Sequence, residues 1–191
     1  MHQKHGKASE KNNEEETIMN NEAAREYLEA IAEFISDNAP VKEHSIEEAD
    51  EIMALNIALP SPLEEKSDIV YSIQMCSFDE DKILYRLIIF IEAEIPEEMF
   101  PQLHRVIGEL NNLTIVGSFR LEEAISAVIY AQGIVQSMET NMNESAVNIL
   151  RTLGIMENAM LNGSVLIRKL LSGEAGADEV IAEIRSIGGA L

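Results

Sequence analysis

Tryptophan is absent from this chain of 191 residues, and aromatic side chains make up only 5% of it. The core must therefore be built from aliphatic residues and methionine, and 46% hydrophobic residues are enough for a full one. Cys76 is the only cysteine, which excludes a disulfide within the chain and favours a reducing compartment. Basic residues are scarce as well, with 14 against 34 acidic ones and a net charge of −20. This charge repels phosphate backbones and anionic lipid headgroups, so we expect neither a nucleic-acid nor a membrane partner.

Long apolar runs are also missing. The longest, Ile83 to Ile91, is interrupted by Arg86 and is too short to span a bilayer. Residues 1–20 lack the apolar segment of a signal peptide, so we expect a cytoplasmic protein. Residues 1–16 are polar and almost free of large apolar side chains, which predicts a disordered leader.

The sequence contains no recognisable catalytic motif. It has no glycine-rich nucleotide-binding loop, and Ser118 lacks the following glycine of a nucleophile elbow. Cys76 has no histidine nearby in sequence, and His104 is interpreted as a histidine on a helix surface. His2 and His5 lie three residues apart, but no cluster of carboxylates or thiolates completes a metal site around them. We therefore predict a protein without catalytic activity, cofactor or bound metal.

Hydrophobic periodicity predicts a single α+β domain over residues 17–173. Its expected element order is α-βββ-α-ββ-α, with an antiparallel five-stranded sheet and helices packed mainly on one face. Residues 41–51 fit either a short helical turn or a loop. Residues 174–191 contain a short helix at 177–187, which either docks back or is mobile. The predicted helices cover about 17–37, 101–111 and 143–171, and the predicted strands cover about 53–59, 69–77, 82–91, 114–122 and 125–135.

The predicted strand 82–91 is apolar on both faces. Five residues from Ile83 to Ile91 alternate along one face, and Leu84, Ile88 and Phe90 share the other. A strand of this kind is typically buried on both sides. Because the helices are expected on one side only, the second face needs another cover. A second subunit is the simplest cover, and the loop at 60–68 is the alternative.

Methionines cluster before and along the last long helix. Met138, Met142, Met156 and Met160 fit two interpretations, namely filling of an aromatic-poor core or a plastic groove for a client peptide. The predicted partner-binding residues combine this helix with the outer face of strand 82–91. They are Leu84, Arg86, Ile88, Phe90, Met156 and Met160.

The stretch from Pro96 to Tyr130 resembles the YbjN family, whose domain has a type III secretion chaperone-like fold. The residues that carry the resemblance are Pro96-Glu97-Glu98, Leu110-Asn111 and Gly117-Ser118-Phe119-Arg120-Leu121, followed by a second strand. The predicted order of elements matches that fold as well. The resemblance implies a small acidic dimer related in shape to secretion chaperones, which hold unfolded client segments along their surface. It implies no established activity.

These observations favour a non-catalytic protein-binding module, chaperone-like or regulatory, that acts as a homodimer formed through the sheet or the second helix. The alternative is a small-ligand sensor or enzyme with a pocket between the long C-terminal helix and the sheet. A polar-lined cavity would favour the alternative, and a filled core would favour the binding module.

Overall fold

A computed structural model describes residues 21–49, 52–61, 68–79 and 82–187. These residues form an α+β fold with a six-stranded antiparallel sheet and four α-helices. The predicted fold class is therefore confirmed, whereas the disordered leader predicted for residues 1–16 lies outside the described residues. The helices are α1 (Asn21–Asn38), α2 (Phe100–Leu113), α3 (Met142–Leu171) and α4 (Ala177–Ile187), and the strands are β1 (Glu43–Ala49), β2 (Ile52–Pro60), β3 (Asp68–Asp79), β4 (Lys82–Glu92), β5 (Ser118–Glu122) and β6 (Ala127–Ser137).

The sixth strand, β1, corrects the predicted count of five. The segment that fitted a helical turn or a loop pairs antiparallel with β2 along its full length, from Glu43 opposite Ala58 to Ala49 opposite Ile52. Ile46 is its one large apolar residue, and it packs against the core. A strand with a single apolar residue has no alternating pattern to reveal it, so here the pairing with β2 decides the conformation.

The strand order is β1-β2-β3-β4-β6-β5. The first four strands form a meander, and the chain then leaves the sheet through α2. It returns as β5 at the far edge and enters the gap between β5 and β4 as β6. Strand β4 therefore lies between β3 and β6, in the middle of the sheet.

All four helices contribute to one main core. This core contains the inward residues of the strands, such as Leu55, Ile73 and Leu87, which are 0% exposed. We call the opposite side, which the helices do not cover, the outer face of the sheet. It carries a separate small cluster of Ile88, Ile129 and Ala131.

Helix α4 packs against the rest of the domain. The sequence left open whether this helix docks back or is mobile, and the structure shows it docked. Val180 and Ile184 are fully buried where α4 packs against α2 and α3. At its flank, Arg185 Nε lies 2.9 Å from Glu109 Oε1. The hydrogen bond from Arg185 lowers the pKa of Glu109, so the small contribution of this exposed pair is lost as the pH falls through that pKa.

Asn111, near the end of α2, joins this helix to β5. Its side-chain Nδ2 donates to the carbonyl oxygen of Phe119 (2.9 Å), and its Oδ1 accepts from the Phe119 N–H (2.8 Å). The amide thus takes the place of a neighbouring strand at the edge of the sheet, and we call it the Asn111 bridge. The Phe119 ring is 1% exposed and meets the Tyr130 ring edge to face, with centroids 4.6 Å apart.

Gly117 lies just before β5, three residues after the predicted start of that strand. Its φ of +77° suits glycine, and an added Cβ would lie 2.8 Å from the ring of Tyr130. The sequence predicted a bulge or a close backbone approach here, and the structure shows the close approach. The contacts of Gly117, Asn111 and Phe119 thus hold β5 against α2 and β6.

Replacing Asn111 by alanine is expected to lower the free energy of unfolding by about 2 kcal/mol, because both main-chain groups of Phe119 lose their partner. Urea unfolding followed by circular dichroism measures the change. Asn112→Ala is the matched control, since Asn112 is exposed on the next position of the same helix. A loss no larger than that of the control would show that the Asn111 bridge does not contribute to stability.

Candidate functional site

The outer face brings together four of the six predicted partner-binding residues. Leu84, Arg86, Ile88 and Phe90 alternate along β4 with the residues of the main core. Strand pairing then places apolar residues of the neighbouring strands beside them. Leu84 lies opposite Val135 of β6, Ile88 opposite Ala131, and Phe90 opposite Ile129.

This face is apolar at its centre and only partly covered. Ile88 is 4% exposed and packs with Ile129 and Ala131. Around this cluster, Val70 is 40% exposed, Phe90 39% and Val135 50%. Burial of β4 on both faces is thus complete at Ile88 and incomplete at Phe90. We call this set the outer-face patch; it consists of Val70, Leu84, Ile88, Phe90, Ile129, Ala131 and Val135.

The alternative cover, the loop at 60–68, falls mostly outside the described residues, which omit 62–67. Among the described parts of the chain, the helices lie on the opposite side of the sheet. The exposed side chains of the outer-face patch are therefore left without a cover from the helical layer.

The charge of this face differs from that of the whole protein. We counted the outward positions of β2 and β6, together with Lys82–Phe90 of β4 and Val70–Cys76 of β3. None of them is acidic, and the only charged ones are Lys82 and Arg86. Arg86 lies between Leu84 and Ile88 on the central strand, and its Nη2 is 3.4 Å from Glu122 Oε1 of the edge strand β5. Apolar residues accompanied by arginine are a composition found at protein–protein interfaces.

Met156 and Met160 do not belong to this surface. They lie four residues apart on α3 and are 0% and 3% exposed in the main core. Met156 and Met160 therefore fill the core, which is one of the two interpretations of the methionine cluster. Their predicted role as partner-binding residues is not supported. Met138 and Met142, near the start of α3, are 48% and 40% exposed.

The single thiol and the predicted surface histidine lie on different elements, β3 and α2. Burial raises the pKa of the Cys76 thiol, and the nearby Arg86 opposes this shift only in part. His104 lies on the surface of α2 as predicted, with Nε2 2.7 Å from Glu123 Oε1. Within the described ranges, no group of three or more His, Cys, Asp or Glu residues is placed to hold a metal ion.

The buried phenols are kept neutral. Burial raises the pKa of Tyr130 to about 12 and moves the pKa of Tyr71 and of Tyr85 upward as well. At neutral pH these hydroxyls are protonated, so they can donate hydrogen bonds but cannot act as phenolate nucleophiles or bases.

A cavity of about 220 Å³ lies on the other side of the sheet, where the C-terminal end of α1 meets β2, β3 and α3. Its wall is mostly aliphatic, with Tyr71 and Glu157 as its ionisable residues. It occupies the region between the long helix and the sheet that the alternative function requires. Its wall is largely apolar, whereas the alternative function was expected to show a polar-lined cavity.

None of the helices in the described part of the chain combines the length and the apolar character needed to cross a membrane. Comparison with known proteins finds no matching family model, no matching curated protein and no matching solved structure.

Proposed function

We propose that this chain is a non-catalytic protein-binding module, chaperone-like or regulatory, which forms a homodimer and engages its protein partner through the outer face of its sheet. The observation that carries the proposal is the outer-face patch, an apolar area without acidic residues in a protein of net charge −20. Solubility alone would favour carboxylates at these positions, as on the rest of the surface.

The size of the patch supports association of moderate strength. Three strands and about six residues along each cover roughly 300 Å² at the spacings of a β-sheet. Areas of this size are often functional on the surface of a monomer. They amount to about 40% of what each partner contributes to a standard interface. We therefore expect a dimer that dissociates in the micromolar range.

Charge favours a second copy of this face over a nucleic acid or a lipid surface. Two acidic proteins repel each other, but two outer faces can meet without opposing any carboxylate from their central strands. The other partner is proposed to be a protein segment with apolar side chains. The sequence resemblance of Pro96 to Tyr130 to the YbjN family supports this kind of role, and we extend the proposal to membership of that family and to a cytoplasmic location.

Light scattering coupled to size-exclusion chromatography tests the dimer. The wild type is expected to approach the dimer mass at high micromolar concentration, and Val135→Glu to remain monomeric, because it places a carboxylate in the outer-face patch on both copies. Val165→Glu is the matched control. Val165 is 44% exposed on α3, close to the 50% of Val135, but it lies away from the outer face.

Two outcomes would contradict the proposal. One is a monomeric wild type at the highest concentration, and the other is an equal response of Val135→Glu and Val165→Glu. Ile88→Glu is a less selective variant, since Ile88 is 4% exposed and an unpaired charge there is expected to destabilise the fold itself.

A further inference from the structure

The cavity beside α3 is open to solvent on one side and is lined mainly by aliphatic side chains. Ile35 from α1, Ile57 from β2 and Leu153 from α3 line it, and each of them is almost completely buried. A dry apolar cavity of about 150 Å³ is large enough to hold benzene. A cavity of 220 Å³ therefore has room for a body of about six carbon atoms and one polar group.

The polar groups of the wall are concentrated in one pair. Tyr71 is 2% exposed, and burial followed by the neighbouring Glu157 carboxylate raises the pKa of its hydroxyl. The hydroxyl therefore stays protonated, as a neutral group beside the Glu157 carboxylate. The oxygens of the Glu157 carboxylate can only accept hydrogen bonds, so a ligand that contacts them must be a hydrogen-bond donor.

The surroundings of this pair favour a positive charge. Among the described residues that line the cavity there is no lysine, arginine or histidine. Helix α1 ends at Asn38, next to Ala39 and Pro40 in the wall, and the C-terminal end of a helix carries partial negative charge. The net charge of −20 adds a long-range preference for cations over anions.

We propose that this cavity is a binding site for a small organic cation, a primary amine with an apolar body of about six carbons, whose ammonium group is held by Glu157. The apolar body fills the space between α1, β2 and α3. Tyr71 adds a neutral hydroxyl beside the carboxylate. The site lies on the helical side of the sheet and is independent of the proposed dimer.

Hexylamine is the probe, with hexanol and hexanoate as ligands of the same length and different head group. Titrations followed by amide NMR shifts are expected to show saturable binding of hexylamine, about tenfold weaker binding of hexanol and none of hexanoate. Glu157→Gln is expected to remove the preference for hexylamine over hexanol, because the amide keeps the shape of the side chain and loses its charge.

Gly154 allows the apolar part of the site to be tested. It lies in the wall, and an added Cβ would meet no atom within 4 Å. Gly154→Leu is expected to fill the cavity and abolish hexylamine binding. Gly108→Leu is the matched control, because Gly108 is a helical glycine in α2 with equally open space and no part in the wall.

The inference fails if hexylamine does not bind, if hexanoate binds as well as hexylamine, or if Gly154→Leu binds like the wild type. Should Gly154→Leu not fold, the comparison of the three ligands on Glu157→Gln decides alone. A monomeric wild type would overturn the proposed function and leave this result standing, since the two sites lie on opposite sides of the sheet.

Discussion

Replacing Gly163 by alanine is expected to lower the free energy of unfolding by about 2–3 kcal/mol, although it adds a single methyl group. The new Cβ would lie 2.2 Å from Cζ of Phe119 and 2.8 Å from its Cε1. The ring cannot easily withdraw, because Tyr130 packs against it and the Asn111 bridge fixes its backbone. Helix α3 would have to move away from β5. Urea unfolding measures the loss.

The same substitution elsewhere in α3 provides the control. Gly154→Ala meets no atom within 4 Å and is expected to stabilise the protein by about 0.5–1 kcal/mol, since alanine favours a helix over glycine. In the background of Gly163→Ala, Phe119→Leu is expected to restore part of the loss by making room for the methyl group. Equal effects of Gly154→Ala and Gly163→Ala would contradict the close approach of α3 to Phe119.

Ile184→Ala is expected to cost about 2–4 kcal/mol. Ile184 is 0% exposed where α4 lies on α2 and α3, so truncation leaves a cavity among three helices. The ion pairs at the flank cannot compensate. Lys169 Nζ lies 2.7 Å from Glu183 Oε1, but both side chains are partly exposed, and such pairs contribute little.

Ile187→Ala makes the matched comparison for this helix. Ile187 is 47% exposed, three residues further along α4, so its truncation is expected to change stability by less than about 0.5 kcal/mol. Amide hydrogen exchange provides a second measurement, in which α4 is expected to be protected in the wild type. If Ile184→Ala costs no more than Ile187→Ala, α4 is not docked in solution.

The elements that the sequence predicted well have strong local patterns. Helix α3 and strand β4 follow from the spacing of their apolar residues, because periodicity is a local property. Strand β1 was missed since Ile46 is its only large apolar residue and β2 supplies its structure. The spacing of Met156 and Met160 showed that they share one side of α3, but not whether that side meets the sheet or the solvent.

The candidate sites depend on contacts between distant segments. The cluster of Ile88, Ile129 and Ala131 requires β6 to lie beside β4, which no local pattern specifies. The cavity is a gap between α1, β2, β3 and α3, and a gap has no sequence signature. Asn111 was part of the family resemblance, yet its bonds to Phe119 become visible only when α2 and β5 are placed together.

Both edges of the sheet are unsuited to further growth. At β1, the exposed side chains of Glu43, Glu47 and Glu48 would confront any incoming chain with negative charge. At β5, a strand of five residues, the Asn111 bridge already occupies the main-chain groups of Phe119. Growth of the sheet by addition of a further strand is therefore disfavoured at both of its described edges.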